Sequence, residues 1–386
     1  MLKKLLSVSL LSATLLASGC GGLGVSGNTG NEIKIGGNLE MTGNTASWGE
    51  SMAKGIKLAF KQANESGGVL GKKINFIIGD NKSEPSESAN AMTKLITQDK
   101  VVLVLGTGGS TNSIAAAPIS AENKVPFITP FATNPKVTAD GENVREYAFR
   151  VCFIDPFQGT VMAGFATKTL QAKTAAIYVD NSADYAKGLA QYFEESFVKS
   201  GGKVVAKEAY LQKDQDFKSI LTKIKSTNPD VVFVPGYYED VAKIVKQARE
   251  LGIMVPIIGG DAWDSPKLVE MAGAEAMNNT FFSNHYAPDN HSPQIDKFVE
   301  AFKKEYNEVP DAPAVLGYDA ACMAIDAIKR ANSADPVKIK DALTQTKDLQ
   351  LVTGTVTLDK YHNPVKSAVV MELKDGKQVY KTTINP

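Results

Sequence analysis

The chain has 386 residues, with 42 Lys plus Arg against 42 Asp plus Glu, 43% apolar and 22% charged residues. These are the proportions of an ordinary globular protein, and the length suits two domains of roughly 100–200 residues each. A formal net charge of zero with no basic block excludes nucleic-acid binding, which needs a basic patch or stripe. Three cysteines are too few for a disulfide framework, and the histidines, His285, His291 and His362, stand at no metal-ligand spacing.

Taken in chain order, residues 1–19 read as a signal peptide. Lys3 and Lys4 start it, an apolar run from Leu5 to Leu16 follows, and the small residues Ala17, Ser18 and Gly19 lead into Cys20. A charged start, a short apolar stretch and a small-residue cleavage site describe an export signal, and the run is too short for a spanning helix of about 20 apolar residues. The cysteine at its end resembles the lipobox of bacterial lipoproteins, which implies lipidation of Cys20; Ala17 stands where that motif favours Leu. Residues 20–31, rich in Gly, Ser, Asn and Thr, bury too little surface to order themselves and read as a tether between the lipid and a folded body.

The body alternates β-branched runs with amphipathic stretches. Strands are expected at Ile33–Asn38, Ile74–Asp80, Val101–Gly106 and Val125–Thr129, and again at Ala175–Asp180, Val204–Tyr210, Val231–Gly236 and Pro256–Gly260. Met52, Ile56, Phe60 and Ala63 recur at helical spacing, and helices are expected at Tyr185–Val198, Phe217–Thr227 and Val241–Leu251. Strands alternating with such helices imply βαβ units and parallel sheets. The result is two doubly wound α/β units, split near Arg150–Phe153. Helices at Ser292–Tyr306, Ala314–Ala331 and Val337–Thr346 precede a β-rich end, Val352–Leu358 and Ala368–Ile384, in which Asp375-Gly376 marks a hairpin turn. These last segments have no complete repeat of their own and return to complete the earlier units. Cys152 and Cys322 read as small buried hydrophobes.

No phosphate-binding G-x-x-x-x-G-K-[ST] occurs, so the chain is no ATPase. Gly106-Thr107-Gly108-Gly109-Ser110-Thr111 follows a strand and opens a helix, but Thr111 replaces the third Gly of the dinucleotide fingerprint. What remains is either a plain helix cap or an anion site, where N–H groups and the hydroxyls of Ser110 and Thr111 receive a carboxylate. Thr129-Pro130-Phe131-Ala132-Thr133 is a second strand end with two hydroxyls. Ligands of open α/β sheets bind beyond the carboxyl ends of strands. The second unit brings Tyr185, Tyr237, Tyr238 and Asp261 to such ends. A lone carboxylate facing neutral donors across a cleft suits a zwitterion, unless Asp261 merely caps a helix starting near Ser265. Trp48, in the Gly43–Gly49 loop, is an apolar wall for a ligand side chain or a core aromatic.

With Ala46-Ser47-Trp48-Gly49, Gly67-Gly68-Val69-Leu70-Gly71-Lys72, Ile128-Thr129-Pro130, Ala132-Thr133-Asn134-Pro135, Asp184-Tyr185-Ala186-Lys187-Gly188, Gly236-Tyr237-Tyr238, Gln247-Ala248-Arg249 and Gly259-Gly260-Asp261, the chain resembles the amino-acid-binding proteins of ABC transporters, specifically the branched-chain amino-acid (Leu/Ile/Val) receptor family, in lipoprotein form. The resemblance runs from Ile33 to the C-terminus. It implies a periplasmic-binding-protein type I fold, two α/β lobes joined by three crossover segments, with lobe 1 at 32–150 and 285–352 and lobe 2 at 151–284 and 353–386. It implies that Ser110 and Thr133 bind a ligand carboxylate, that Asp261 with Thr133 binds its ammonium, that Phe131 and Gly109 line the site, and that Tyr185 and Tyr237 close over it. Asp261 stands where Glu is frequent, Phe131 where a small residue is usual and Trp48 where Tyr is common; Gly108 and Gly109 replace bulkier residues.

The expected protein is thus an extracytoplasmic receptor, not an enzyme, with no cofactor and no metal. It is a monomer held to the bacterial membrane by lipidated Cys20. It binds an apolar L-amino acid, Leu, Ile or Val first and a larger apolar or aromatic one second, and hands it to ABC permease subunits. The alternatives are a sensor that presents the ligand to a receptor and an extracytoplasmic amidase using Ser110 as nucleophile, for which no base sits at a matching strand end.

Overall fold

The computed structural model describes residues 30–386; the export segment, Cys20 and nearly all of the tether lie outside the described residues. The first part of the chain lays down β1 (Glu32–Leu39), α1 (Ala46–Glu65), β2 (Lys73–Asp80), α2 (Pro85–Thr97), β3 (Leu103–Gly106), α3 (Ser110–Asn123) and β4 (Phe127–Thr129). A short ribbon, β5 (Ala139–Asp140) and β6 (Asn143–Val144), then leads to β7 (Ala148–Arg150). The helices form because one face is apolar: Met52, Ala53, Ile56, Ala59 and Phe60 of α1 are buried at 3–4-residue spacing. The five long strands form one parallel sheet in the order β2-β1-β3-β4-β7. Strand direction from β1 to its two neighbours reverses the order of connection, so a crevice opens between the carboxyl ends of β1 and β3, where Asn38 pairs with Gly106.

After α4 (Asp155–Gly164), the chain builds β8 (Thr174–Asp180), α5 (Asp184–Lys199), β9 (Lys203–Tyr210), α6 (Lys218–Ser226), β10 (Val231–Phe233), α7 (Tyr238–Glu250), β11 (Ile257–Gly259), α8 (Pro266–Ala272) and β12 (Thr280–Asn284). It then turns to α9 (Pro293–Tyr306), α10 (Ala312–Ala331) and α11 (Pro336–Thr344). Ser292, Asp311 and Asp335 cap these three, each followed at once by or within two residues of Pro. Helices α9 and α10 pack on α1, beside the first sheet. Strands β15 (Ala368–Lys374) and β16 (Lys377–Ile384) then join the second sheet, of order β16-β15-β12-β11-β10-β8-β9, with β15 antiparallel to β12. The chain therefore passes between the two sheets three times, at 150–155, 284–293 and 352–368.

Several details depart from the sequence reading. Trp48 lies in the first turn of α1 rather than in a loop. Strands β7 and β12 are not among the strands expected from the sequence. The Val352–Leu358 run does not enter a main sheet: β13 (Leu349–Leu351) and β14 (Gly354–Val356) make a ribbon of their own. Cys152 and Cys322 are both free thiols, and burial pushes each up to about 12.

Candidate functional site

The carboxyl ends of both sheets face one another, and a small enclosed cavity lies between them, lined by Trp48, Gly108, Ser110, Phe131, Tyr185, Tyr237, Asp261 and Ala262. Six of the eight residues singled out from the sequence thus meet at one place, although they come from six different strand ends. The other two are not in that lining. Gly109 opens α3, with Tyr237 Oη 3.7 Å from where its Cβ would be. Thr133 is fully buried, and its hydroxyl has no hydrogen-bond partner.

One wall is aromatic. Trp48, 1% exposed, meets Phe131, Tyr237 and Tyr238 edge to face at centroid distances of 5.3, 4.9 and 5.6 Å, and Tyr185 stacks on Tyr237 at 5.8 Å. Such pairs present a rigid apolar surface, and the indole N–H of Trp48 is unpartnered.

The opposite corner is acidic. Asp261 opens a short 3₁₀ turn directly after β11, so its position is set by the sheet. It does not cap the next helix, because Ser265 caps α8 by accepting from Lys267 N. Its Oδ1 accepts from Tyr185 Oη at 2.9 Å and its Oδ2 lies 2.8 Å from His285 Nε2. Its backbone N–H donates to Gln158 Oε1 at 2.7 Å. His285 stacks on Phe153 at 3.7 Å; burial lowers its pKa against the pull of Asp261, so the ring is neutral and its Nε2–H donates to the carboxylate. Burial, together with the Asp261 charge, raises the Tyr185 hydroxyl well above its usual value, which keeps it a donor. Asp155, at the start of α4, is fully buried with neither oxygen hydrogen-bonded. Burial raises its pKa well above its usual value.

The helix terminus at Gly108–Thr111 differs from the sequence expectation. The two amides just before the helix already meet a carboxylate of the same chain. Glu40, just past β1 and fully buried, accepts from Gly108 N at 3.1 Å with each oxygen, from Gly109 N at 3.2 Å and from Asn112 Nδ2 at 3.4 Å. The two glycine amides are therefore not free for a ligand, whereas Ser110, the first residue of the helix, lines the cavity. The second hydroxyl of the motif, Thr111 Oγ1, accepts instead from Asp184 N of the second sheet's α5 at 3.0 Å. Asn134 Nδ2 donates to Asp184 O at 2.8 Å, and Ser47 and Ser265 hydroxyls meet at 2.9 Å. These bonds close the two halves on each other.

Glu40, Asp155, Gln158 and His285 were missed in the sequence. Glu40 carries a signal in hindsight, since it directly follows the first strand, at the carboxyl edge where such crevices form. His285 follows a strand too short to read. Among the described residues no helix is long and apolar enough to cross a membrane, and no group of three or more His, Cys, Asp or Glu is placed to hold a metal ion.

A family model described as periplasmic binding protein matches residues 32–378. The Leu/Ile/Val-binding protein homolog 3 of Brucella melitensis is 30% identical over 84% of this chain and 87% of its own. The Leu/Ile/Val-binding protein BraC3 of Rhizobium johnstonii is 31% identical over 91% of this chain and 93% of its own. Among solved structures, the leucine binding protein LivK of Thermotoga maritima superposes with a TM-score of 0.87 at 39% identity, covering 92% of this chain and 99% of its own. The branched-chain amino acid transporter binding protein LivJ of Streptococcus pneumoniae, solved with isoleucine, gives 0.87 at 38% identity, covering 92% of this chain and all (100%) of its own. A solute binding protein of R. palustris solved with benzoate gives 0.82 at 27% identity, with coverage of 92% and 97%.

Proposed function

The chain belongs to the periplasmic binding protein family and has its type I fold, and on that premise we propose that it is the extracytoplasmic receptor of an ABC importer for an apolar L-amino acid, Leu, Ile or Val first. The relatives named above are binding proteins, not enzymes, and the site is read in the same way. The observation that carries the reading is Asp261, 1% exposed, which lines one cavity with Ser110 and with the rings of Trp48, Phe131 and Tyr237; Thr133 is read as the second hydroxyl donor. An ammonium meets the one acid, a carboxylate meets hydroxyl donors, and an apolar side chain meets rings. Gly109, whose amide is engaged by Glu40, contributes shape rather than a donor. Tyr185 and Tyr237 come from the second sheet, so the two lobes, 32–150 with 285–352 and 151–284 with 353–386, hold the ligand between them.

The reading extends to export through residues 1–19, lipidation of Cys20, a monomeric state and delivery to permease subunits. The experiment is a thermal-shift screen of the protein against the twenty amino acids and benzoate. At 100 times its dissociation constant the ligand stabilises by about 2.7 kcal/mol. Leucine, isoleucine or valine is expected to give the largest shift. A shift with benzoate and none with any amino acid overturns the zwitterion reading.

A further inference from the structure

The cavity lies between two fixed carboxylates. Asp261 stands at one corner, and Glu40 lies behind the Gly108 wall at the other. A Cβ on Gly108 would sit 2.8 Å from Met52 Cε and 3.3 Å from Glu40 Oε2, and one on Gly109 would point toward Asn112 and Tyr237 Oη. Both positions are glycine, so the ligand side faces backbone, with Glu40 and Met52 packed behind Gly108. Every hydrogen bond Glu40 accepts comes from an N–H: Gly108, Gly109 and the Asn112 amide. Burial raises the Glu40 pKa, while the Gly108 and Gly109 amides pull it down and favour the ionised form. Burial raises the Tyr237 hydroxyl well above its usual value, and the nearby acids Asp180 and Glu40 add to the rise.

We propose that Glu40 is a specificity-determining residue, which excludes ligands with an acidic side chain by holding the protein's own carboxylate against the Gly108-Gly109 backbone that leads into α3. The argument rests on the amino-acid receptor reading above. A helix N-terminus at a strand end is the place where an anionic side chain would otherwise be drawn. Here the two amides just before the helix, those of Gly108 and Gly109, are filled, and a second anion would meet a like charge in a water-poor site, where such repulsion is strong. A neutral side chain meets only the glycine backbone and the aromatic wall. Discrimination of this kind works by repulsion from the wrong ligand as much as by attraction of the right one.

The test compares wild-type protein with Glu40→Gln, which is close in volume, by displacement calorimetry of bound isoleucine with glutamate, glutamine, aspartate and asparagine. Circular dichroism and melting curves check folding. Glu40→Gln is expected to improve the acid-to-amide affinity ratio in at least one of the two pairs by about tenfold or more, with isoleucine affinity changing far less. An unchanged ratio overturns the proposal, and so does a failure of all four probes to compete in either protein, since pocket shape alone would then set the choice. If Glu40→Gln does not fold, wild-type protein decides: the amides must outcompete the acids by about tenfold, and parity or no competition overturns the proposal. Failure of isoleucine and every other amino acid to bind wild-type protein is a different result, and it sinks the receptor reading instead.

Discussion

Replacing Asp261 by Asn separates a binding acid from a structural one. The carboxylate is 1% exposed and receives Tyr185 Oη at 2.9 Å and His285 Nε2 at 2.8 Å. With Asn, the side-chain oxygen keeps the tyrosine bond. The new amide N–H then faces His285, whose Nδ1 is unpartnered; moving the ring proton from Nε2 to Nδ1 turns Nε2 into an acceptor. The folded state therefore loses the strength of charge-assisted bonds but not their number, at a cost of about 1–3 kcal/mol within a stability of roughly 5–15 kcal/mol. Binding suffers more. An ammonium closed into this cleft without its counter-charge is a buried, unpaired ion, and truncating one partner of such a pair costs about 2–5 kcal/mol. That corresponds to roughly 30-fold to several thousand-fold in Kd. Isothermal titration calorimetry with isoleucine measures the loss, and a melting curve verifies the fold. If Asp261→Asn folds and binds within threefold of wild type, Asp261 is not the ammonium acid, and Asp155 is the next acid in the cluster.

Three further outcomes are expected. The closed cavity gives the centre of a water molecule only about 10 Å³, about one water's worth, so an amino acid enters by the halves moving apart; small-angle scattering should show the radius of gyration falling on ligand addition, and an unchanged value at saturation counts against hinge closure. Ser110→Ala removes one hydroxyl donor among several and should weaken binding by about 0.5–3 kcal/mol, less than Asp261→Asn; the reverse order in calorimetry would move the centre of the site away from Asp261. Asp311 caps α10 with its carboxylate buried, and burial together with Asp264 raises its pKa. The unfolded chain releases that proton in the ordinary carboxylate range while the folded protein keeps it to higher pH, so this group's contribution to stability declines as pH rises across that window. Asp311→Asn, which can still accept from Ala314 N, should flatten the decline in melting temperature measured from pH 4 to 8. Parallel curves for the two proteins would refute the assignment.

The amino-acid sequence by itself determined the alternation of strands and helices. Continuous apolar runs such as Val231–Phe233 suit strands covered on both faces, and the spacing of Met52, Ile56 and Phe60 suits a helix packed on one side. It also placed Ser110, Thr133, Tyr185, Tyr237 and Asp261 at strand ends, because in a parallel α/β unit the residue after a strand is carried to the carboxyl edge wherever that strand sits. The periodicity is local, and so is what it predicts. Tertiary structure decided which of these ends face each other. Glu40 meets Gly108 across 68 residues and His285 meets Asp261 across 24, contacts fixed by strand order and by where the chain crosses between lobes. The same holds for β7 and β12, whose few residues become strands because neighbouring strands offer them a ladder. The Gly108 and Gly109 amides look open to an anion in sequence and are filled by Glu40 in the fold. A free N–H and a satisfied one read alike along a chain; only the three-dimensional neighbour distinguishes them.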